Sequence, residues 1–248
     1  MTERSGWAAL EVVWPMAHIS ALTIFDALRG RLTMKACNER LTWWGSESLR
    51  RTGIDLRVRG REHLKGGPFL VMSNHLSHFD VPMLFAGVGG NLRMITKTEL
   101  FRIPGWGPAM RQAGFIEIDR KNRERAKKSL ERAKETLRSG INVWIAPEGT
   151  RSRDGELQSF KKGGFILASE MGVPILPVAI SGTHEILPPS TLKALPGGTV
   201  AIVIGAPIAS EGRDKEALLD ETRGAIAALL ADARSLAKDA LQPPNSSE

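Results

Sequence analysis

Phe69-Leu-Val-Met-Ser-Asn-His-Leu-Ser-His-Phe-Asp80 begins as an apolar run, passes through a polar cluster and leads into Val81-Pro82. Four apolar residues in a row suit a strand buried on both faces, and proline just past the polar cluster suits the first turn of a helix. Strand, polar loop and helix in that order make one α/β unit, with its reactive groups at the strand end. The neighbouring sequence repeats the pattern. Short apolar runs at 54–58, 115–118, 143–146, 175–180 and 200–204 are rich in Val and Ile and bounded by Gly or Pro, as buried strands are. Between them, 123–138 sets Ala126, Leu130, Ala133 and Leu137 on one stripe among Lys, Arg and Glu, and 215–238 carries Leu218, Leu219, Ala225, Ile226, Leu229 and Leu230. The alternation predicts a single α/β domain with a central, largely parallel or mixed sheet flanked by helices.

The ends of the chain read differently. Residues 7–28 are apolar-rich but interrupted by Glu11, His18 and Asp26, short of the roughly 20 apolar residues of a spanning helix. Leu10, Val13, Trp14, Ala17, Ala21, Ile24 and Leu28 share one helical face, entered or kinked at Pro15. That face fits either the protein's own core or the acyl boundary of a bilayer. Trp43 and Trp44, followed by Arg50 and Arg51, favour the bilayer. Residues 1–52 are therefore expected to form an N-terminal amphipathic helical membrane-associating segment, 53–241 the α/β domain, and 242–248, with Pro243 and Pro244, a disordered tail. The same interruptions exclude a secretory leader, so the expected place is the cytoplasmic face of a membrane, peripheral or monotopic. One cysteine, Cys37, leaves no internal disulfide and no multi-cysteine metal site, and is read as inert. The net charge of +7 implies an anionic partner. No recognition-helix or aromatic stacking motif points to nucleic acid.

His75 and Asp80 are five apart, which puts them about 140° apart on a regular helix, so they meet only across a loop. A carboxylate on one imidazole nitrogen fixes the tautomer and leaves the other nitrogen to take a proton from a hydroxyl. The alternative is a histidine satisfied locally, with Asp80 as a helix cap. Ser77 is a second possible nucleophile, but it lacks the flanking glycines of a G-x-S-x-G elbow. Ile145-Ala-Pro-Glu-Gly-Thr-Arg-Ser152 again sets polar residues directly after a strand: Glu148 to orient a hydroxyl, Gly149 to turn, Arg151 to fork onto phosphate.

Taken together, these segments resemble the glycerolipid acyltransferase family that includes 1-acyl-sn-glycerol-3-phosphate acyltransferases. Asn74 to Asp80 is similar to the family's H-x4-D block, which implies that His75 and Asp80 are catalytic. Lys97-Thr-Glu-Leu with Gly114-Phe-Ile-Glu-Ile-Asp-Arg120 resembles a second block, whose Lys97 and Arg120 are expected to hold the acceptor's phosphate. Pro147 to Ser152 resembles the third, placing Glu148, Gly149, Thr150 and Arg151 at the acceptor, and Val173 to Val178 the fourth, linked to the acyl donor. Ala146 stands where family members often carry an aromatic.

The resemblance implies transfer of a fatty acyl group from acyl-CoA or acyl-ACP, as co-substrate, to a lysophospholipid hydroxyl, giving phosphatidic acid from 1-acyl-sn-glycerol-3-phosphate. It implies no metal and no further cofactor. Lysophospholipid, acyl thioester, membrane surface and acyl carrier protein are the expected partners. The alternatives are an acyltransferase for another lysolipid such as a lyso-aminolipid, a lipid hydrolase using Ser77, His75 and Asp80, and a non-catalytic protein that docks on anionic membranes.

Overall fold

The computed structural model describes residues 6–119, 123–191 and 193–238. The expected tail at 242–248 and the candidate Arg120 lie outside them. Among the described residues seven strands, β1 (Asp55–Arg59), β2 (Leu70–Ser73), β3 (Leu92–Lys97), β4 (Ile116–Ile118), β5 (Asn142–Ile145), β6 (Ile175–Ser181) and β7 (Thr199–Ile204), form one sheet in the order β1-β7-β6-β2-β5-β3-β4. Every pairing is parallel except β6 with β7, so the sheet is mixed, as the alternating pattern predicts.

Of these strands, β3 is the one the apolar runs do not reveal. Leu92-Arg-Met-Ile-Thr-Lys97 is broken by an arginine, yet Arg93 is fully buried. Its guanidinium donates to the backbone oxygens of Ala113 (2.5 Å), Gly90 and Leu92 (both 2.9 Å) and to Asn38 Oδ1 (2.8 Å). A buried cation is tolerated where its donors are all engaged, and burial still pushes this one down to about 10.

The eight helices are α1 (Gly6–Leu28), α2 (Met34–Thr52), α3 (Asp80–Gly87), α4 (Trp106–Gln112), α5 (Arg123–Arg138), α6 (Gly163–Met171), α7 (Thr183–Ile186) and α8 (Lys215–Lys238), counted among the described residues. Helices cover both faces of the sheet, so central strands are buried on both sides. On one face Val71, Val178 and Ile202 pack with Ile19, Trp44, Leu84 and Phe85 of the first three helices. On the other Leu70, Met72 and Ile175 pack with Ala133, Leu137, Phe165, Leu218 and Ile226 from α5, α6 and α8.

The N-terminal segment is helical, as expected. Its described residues form a pair of helices, α1 and α2, tied by ion pairs of Arg51 with Glu11 (2.8 Å) and of Arg40 with Asp26, and by Trp44 Nε1 donating to the Val12 oxygen (3.2 Å). Thr33 caps α2, its hydroxyl accepting from the Ala36 N–H (3.2 Å). The expected apolar stripe on α1 is largely its exposed face: Leu10, Val13, Trp14 and Leu28 are 46–84% exposed, with Phe25 beside them. Ile19 packs into the core instead, with Val12 and Met16 partly buried against it. Because α1 is apolar around most of its circumference, its sequence pattern does not say which face turns inward. No described helix is long and apolar enough to cross a membrane.

Candidate active site

The polar cluster after β2 forms the centre of the site at the sheet's C-terminal edge. Asn74 extends the β2–β6 pairing by a side chain, its amide bonding both the N–H and the oxygen of Ile180 (2.8 Å each). His75 follows, with its backbone N–H on Glu148 Oε1 (2.8 Å) and its backbone oxygen accepting from the Ser152 N–H (2.8 Å). Its imidazole stands edge-on to Trp144, ring centres 5.5 Å apart, and Trp144 is itself held by Ser73 Oγ (2.9 Å).

His75 Nδ1 lies 2.6 Å from Asp80 Oδ2. A carboxylate only accepts, so Nδ1 carries the proton in this contact and Nε2 is left with its lone pair. Asp80 Oδ2 also accepts the N–H groups of Leu76 (2.7 Å) and Ser77 (3.0 Å), while Oδ1 accepts the Thr183 hydroxyl (2.5 Å). The N–H groups it binds lie upstream of it, so Asp80 orders the loop that carries His75 and does not act as the cap of α3. Asp80 is fully buried and the His75 side chain is 19% exposed. The histidine thus faces the outside and the carboxylate the interior, as a base and its orienting partner require.

Thr183 and Trp144 escape the motif reading. The same rule that exposes His75, polar residues directly after an apolar strand, applies to Ser181-Gly182-Thr183 after β6. Gly182 has φ 95°, and a Cβ there would stand 2.1 Å from the Thr199 oxygen, so the turn that delivers Thr183 admits only glycine. Ser77 is fully buried; its hydroxyl donates to the Leu187 oxygen (2.7 Å) and accepts from the Phe79 N–H (3.1 Å). With both roles taken inside the loop, the structure does not assemble the Ser77 triad.

The remaining candidates divide. Arg151 is half-buried and Lys97 exposed, and both lie close enough to His78 to oppose its protonation. Gly149, φ 75°, makes the turn, and Thr150 is exposed beside it. Glu148 does not face outward as the expected acceptor-binding role requires. It is buried, and its two oxygens accept the backbone N–H groups of His75 (2.8 Å) and Gln158 (2.9 Å). Burial pushes its pKa up, opposed by those two bonds. Residues 173–178 enter β6 and its lead-in, and none lines the cavity described next.

That cavity, about 360 Å³, opens beside the site between the sheet and the α1, α2 and α4 layer. His78, Phe79, Thr96 and Leu187 line it together with Met16, Ile19, Leu41, Met110 and Phe115, which make it largely apolar, and with Thr23, Cys37 and Arg40. Cys37, expected to be inert, is buried in its wall with its thiol pushed up by burial.

The chain is similar to known proteins in sequence and in fold. A family model described as "Acyltransferase" matches residues 55–181. The chain is 37% identical over 172 residues to the chloroplastic 1-acyl-sn-glycerol-3-phosphate acyltransferase BAT2 of Brassica napus, covering 68% of this chain and 49% of that one. It is 33% identical over 176 residues to the human 1-acyl-sn-glycerol-3-phosphate acyltransferase alpha, covering 69% and 62%. The chain therefore spans about half the length of the first of these curated relatives. Among solved structures, the 1-acyl-sn-glycerophosphate acyltransferase PlsC of Thermotoga maritima superposes with a TM-score of 0.78 at 28% identity, covering 93% of this chain and 95% of that one.

Proposed function

Because the chain belongs to the acyltransferase family, we propose that it transfers a fatty acyl group from a thioester to the free hydroxyl of 1-acyl-sn-glycerol-3-phosphate, giving phosphatidic acid. The observation that carries the reading is the His75–Asp80 pair, 2.6 Å apart, in the loop whose His78 and Phe79 line an apolar cavity, with the charges of Arg151 and Lys97 reaching His78. Such a site binds a molecule with an anionic head and an apolar tail, and it deprotonates a hydroxyl held between them.

In this reading His75 Nε2 takes the acceptor's hydroxyl proton while Asp80 holds Nδ1–H, and the resulting oxygen attacks the thioester carbonyl. The cavity receives an acyl chain. Arg151 and Lys97 receive the phosphate, Arg151 as a planar fork and Lys97 as a point charge. The donor is acyl-CoA or acyl-ACP. The exposed Leu10, Val13, Trp14, Phe25 and Leu28 face, with Arg29 stacked 3.9 Å over the Phe25 ring, seats the enzyme on the membrane that holds its acceptor. Vesicle co-sedimentation should fall in Trp14→Glu/Phe25→Glu, and unchanged binding would remove this role from α1.

The deciding assay follows a labelled acyl group from acyl-CoA, and in parallel from acyl-ACP, to lysophosphatidate in detergent micelles. Wild type should release one thiol per phosphatidate formed, and His75→Ala should lose transfer while keeping its unfolding midpoint. Near-normal turnover by His75→Ala, or no transfer from either donor, refutes the proposal.

A further inference from the structure

Acyl transfer needs a hydrogen-bond donor for the carbonyl oxygen that becomes negative, and removing such a donor commonly costs about 10²–10³ in kcat. Within the site described, His75 acts as base and Asp80 as its orienting partner, so neither fills that position. The catalytic loop presents one other group. Leu76, Ser77, Phe79 and Asp80 are all buried, while His78 between them is exposed and lines the cavity with Phe79, Thr96 and Leu187. Among the described residues its ring has no hydrogen-bond partner, although the charges of Arg151, His75, Asp80 and Lys97 all reach it.

The surrounding protein, then Arg151 and His75, hold His78 down at about 4, with Asp80 opposing them. At neutral pH the ring is therefore uncharged and a poor base, and its useful property is one N–H to donate. A neutral imidazole that polarises a substrate carbonyl is established chemistry in triosephosphate isomerase.

Position supplies the rest. On the proposed function, which this inference deepens, the acyl chain lies in the cavity and the attacking hydroxyl lies at His75. The thioester carbonyl joining them then falls between His75 and the cavity, and His78 both lines the cavity and lies within electrostatic reach of His75.

We propose that the ring N–H of His78 donates to the thioester carbonyl oxygen and holds the oxyanion formed on attack, making His78 a catalytic residue for acyl transfer. The acceptor oxygen forms the new C–O bond as its proton passes to His75 Nε2, and the carbonyl π pair moves onto the oxygen facing His78. Collapse returns that pair, breaks the C–S bond and delivers the proton from His75 to the departing thiolate. The products are ester and free thiol.

The test compares wild type, His75→Ala, His78→Ala and His78→Gln in the acyl-CoA and lysophosphatidate assay, with unfolding midpoints confirming that each variant is folded. His78→Ala should lower kcat by about 10²–10³ with the acceptor KM little changed, and His78→Gln, which keeps an N–H donor, should recover part of the loss. Difference infrared spectroscopy of 13C-carbonyl acyl-CoA should show the bound carbonyl stretch lowered in wild type and His75→Ala but not in His78→Ala. Near-wild-type kcat in His78→Ala, a change confined to the acceptor KM, or the same carbonyl stretch in all proteins overturns the assignment. If His75→Ala is dead and His78→Ala is normal, the oxyanion role alone falls; a silent wild type removes the proposed function with it.

Discussion

Replacing Glu148 by Gln separates a brace from a ligand. Glu148 is 3% exposed and accepts two backbone N–H groups, from His75 at 2.8 Å and Gln158 at 2.9 Å. Glutamine keeps the shape but offers one oxygen, so one N–H meets another donor and the other loses a charge-assisted partner. A hydrogen bond to a charged group is worth about 1.5–3 kcal/mol, and a buried donor left unpaired costs about 1–3 kcal/mol. The variant should therefore lose about 2–4 kcal/mol, a fall of roughly 4–16 °C in Tm at about 2–4 °C per kcal/mol for a chain of this size. The His75 backbone hangs on one of those bonds, and a displacement of about 1 Å in a catalytic group can cost about 10²-fold in rate. Thermal unfolding and steady-state acyl transfer, run below the variant's Tm, should show lower stability and a kcat about 10²-fold down with the acceptor KM nearly unchanged. A stable Glu148→Gln with normal kcat and a raised acceptor KM would refute the brace and restore the acceptor-binding role expected from the sequence.

Three further outcomes follow from the same contacts. Thr183→Val removes the donor to Asp80 Oδ1 and should cost about 1–3 kcal/mol in unfolding free energy, with a smaller loss of kcat than His75→Ala; full activity and stability would show that Asp80 is held without it. Thr222 is fully buried on α8 with its hydroxyl unbonded among the described residues, so Thr222→Val should be neutral or stabilising, by up to about 1 kcal/mol or about 2–4 °C in Tm. A drop in Tm would reveal a partner for that hydroxyl. His78 stays unprotonated to about pH 4 in the fold but takes up a proton near 6.5 when unfolded, so its contribution is complete above pH 6.5 and is lost as pH falls towards 4. Urea midpoints of wild type should fall more between pH 7 and 4.5 than those of His78→Gln, and parallel falls would contradict the lowered pKa.

Local pattern was enough for much of this protein. Strands announced by unbroken Val and Ile runs fall where expected, as do α5 and α8, because a strand buried on both faces has to be apolar throughout and a helix covering a sheet has to repeat at 3.6 residues. His75 and Asp80 were legible because they are five residues apart, at the two sides of the short loop that leads into α3, where a local turn brings them together. Long-range packing decided the rest. Arg93 hides β3 from any apolar-run reading, because its burial is compensated by carbonyl and amide groups from Asn38, Gly90 and Ala113 that meet only in the folded chain. The inward face of α1 was undetermined, since both faces are apolar and only α2 and the sheet select Ile19 over Val13 and Trp14. Glu148 reads as a ligand because a carboxylate after a strand usually meets solvent; in the fold it is buried because the His75 and Gln158 N–H groups converge on it, from 73 and 10 residues away. Thr183 completes Asp80 from 103 residues away. The sequence by itself determined which polar residues the loop after β2 sets side by side, and the tertiary structure determined what holds that loop in place, because the supporting hydrogen bonds join segments distant along the chain.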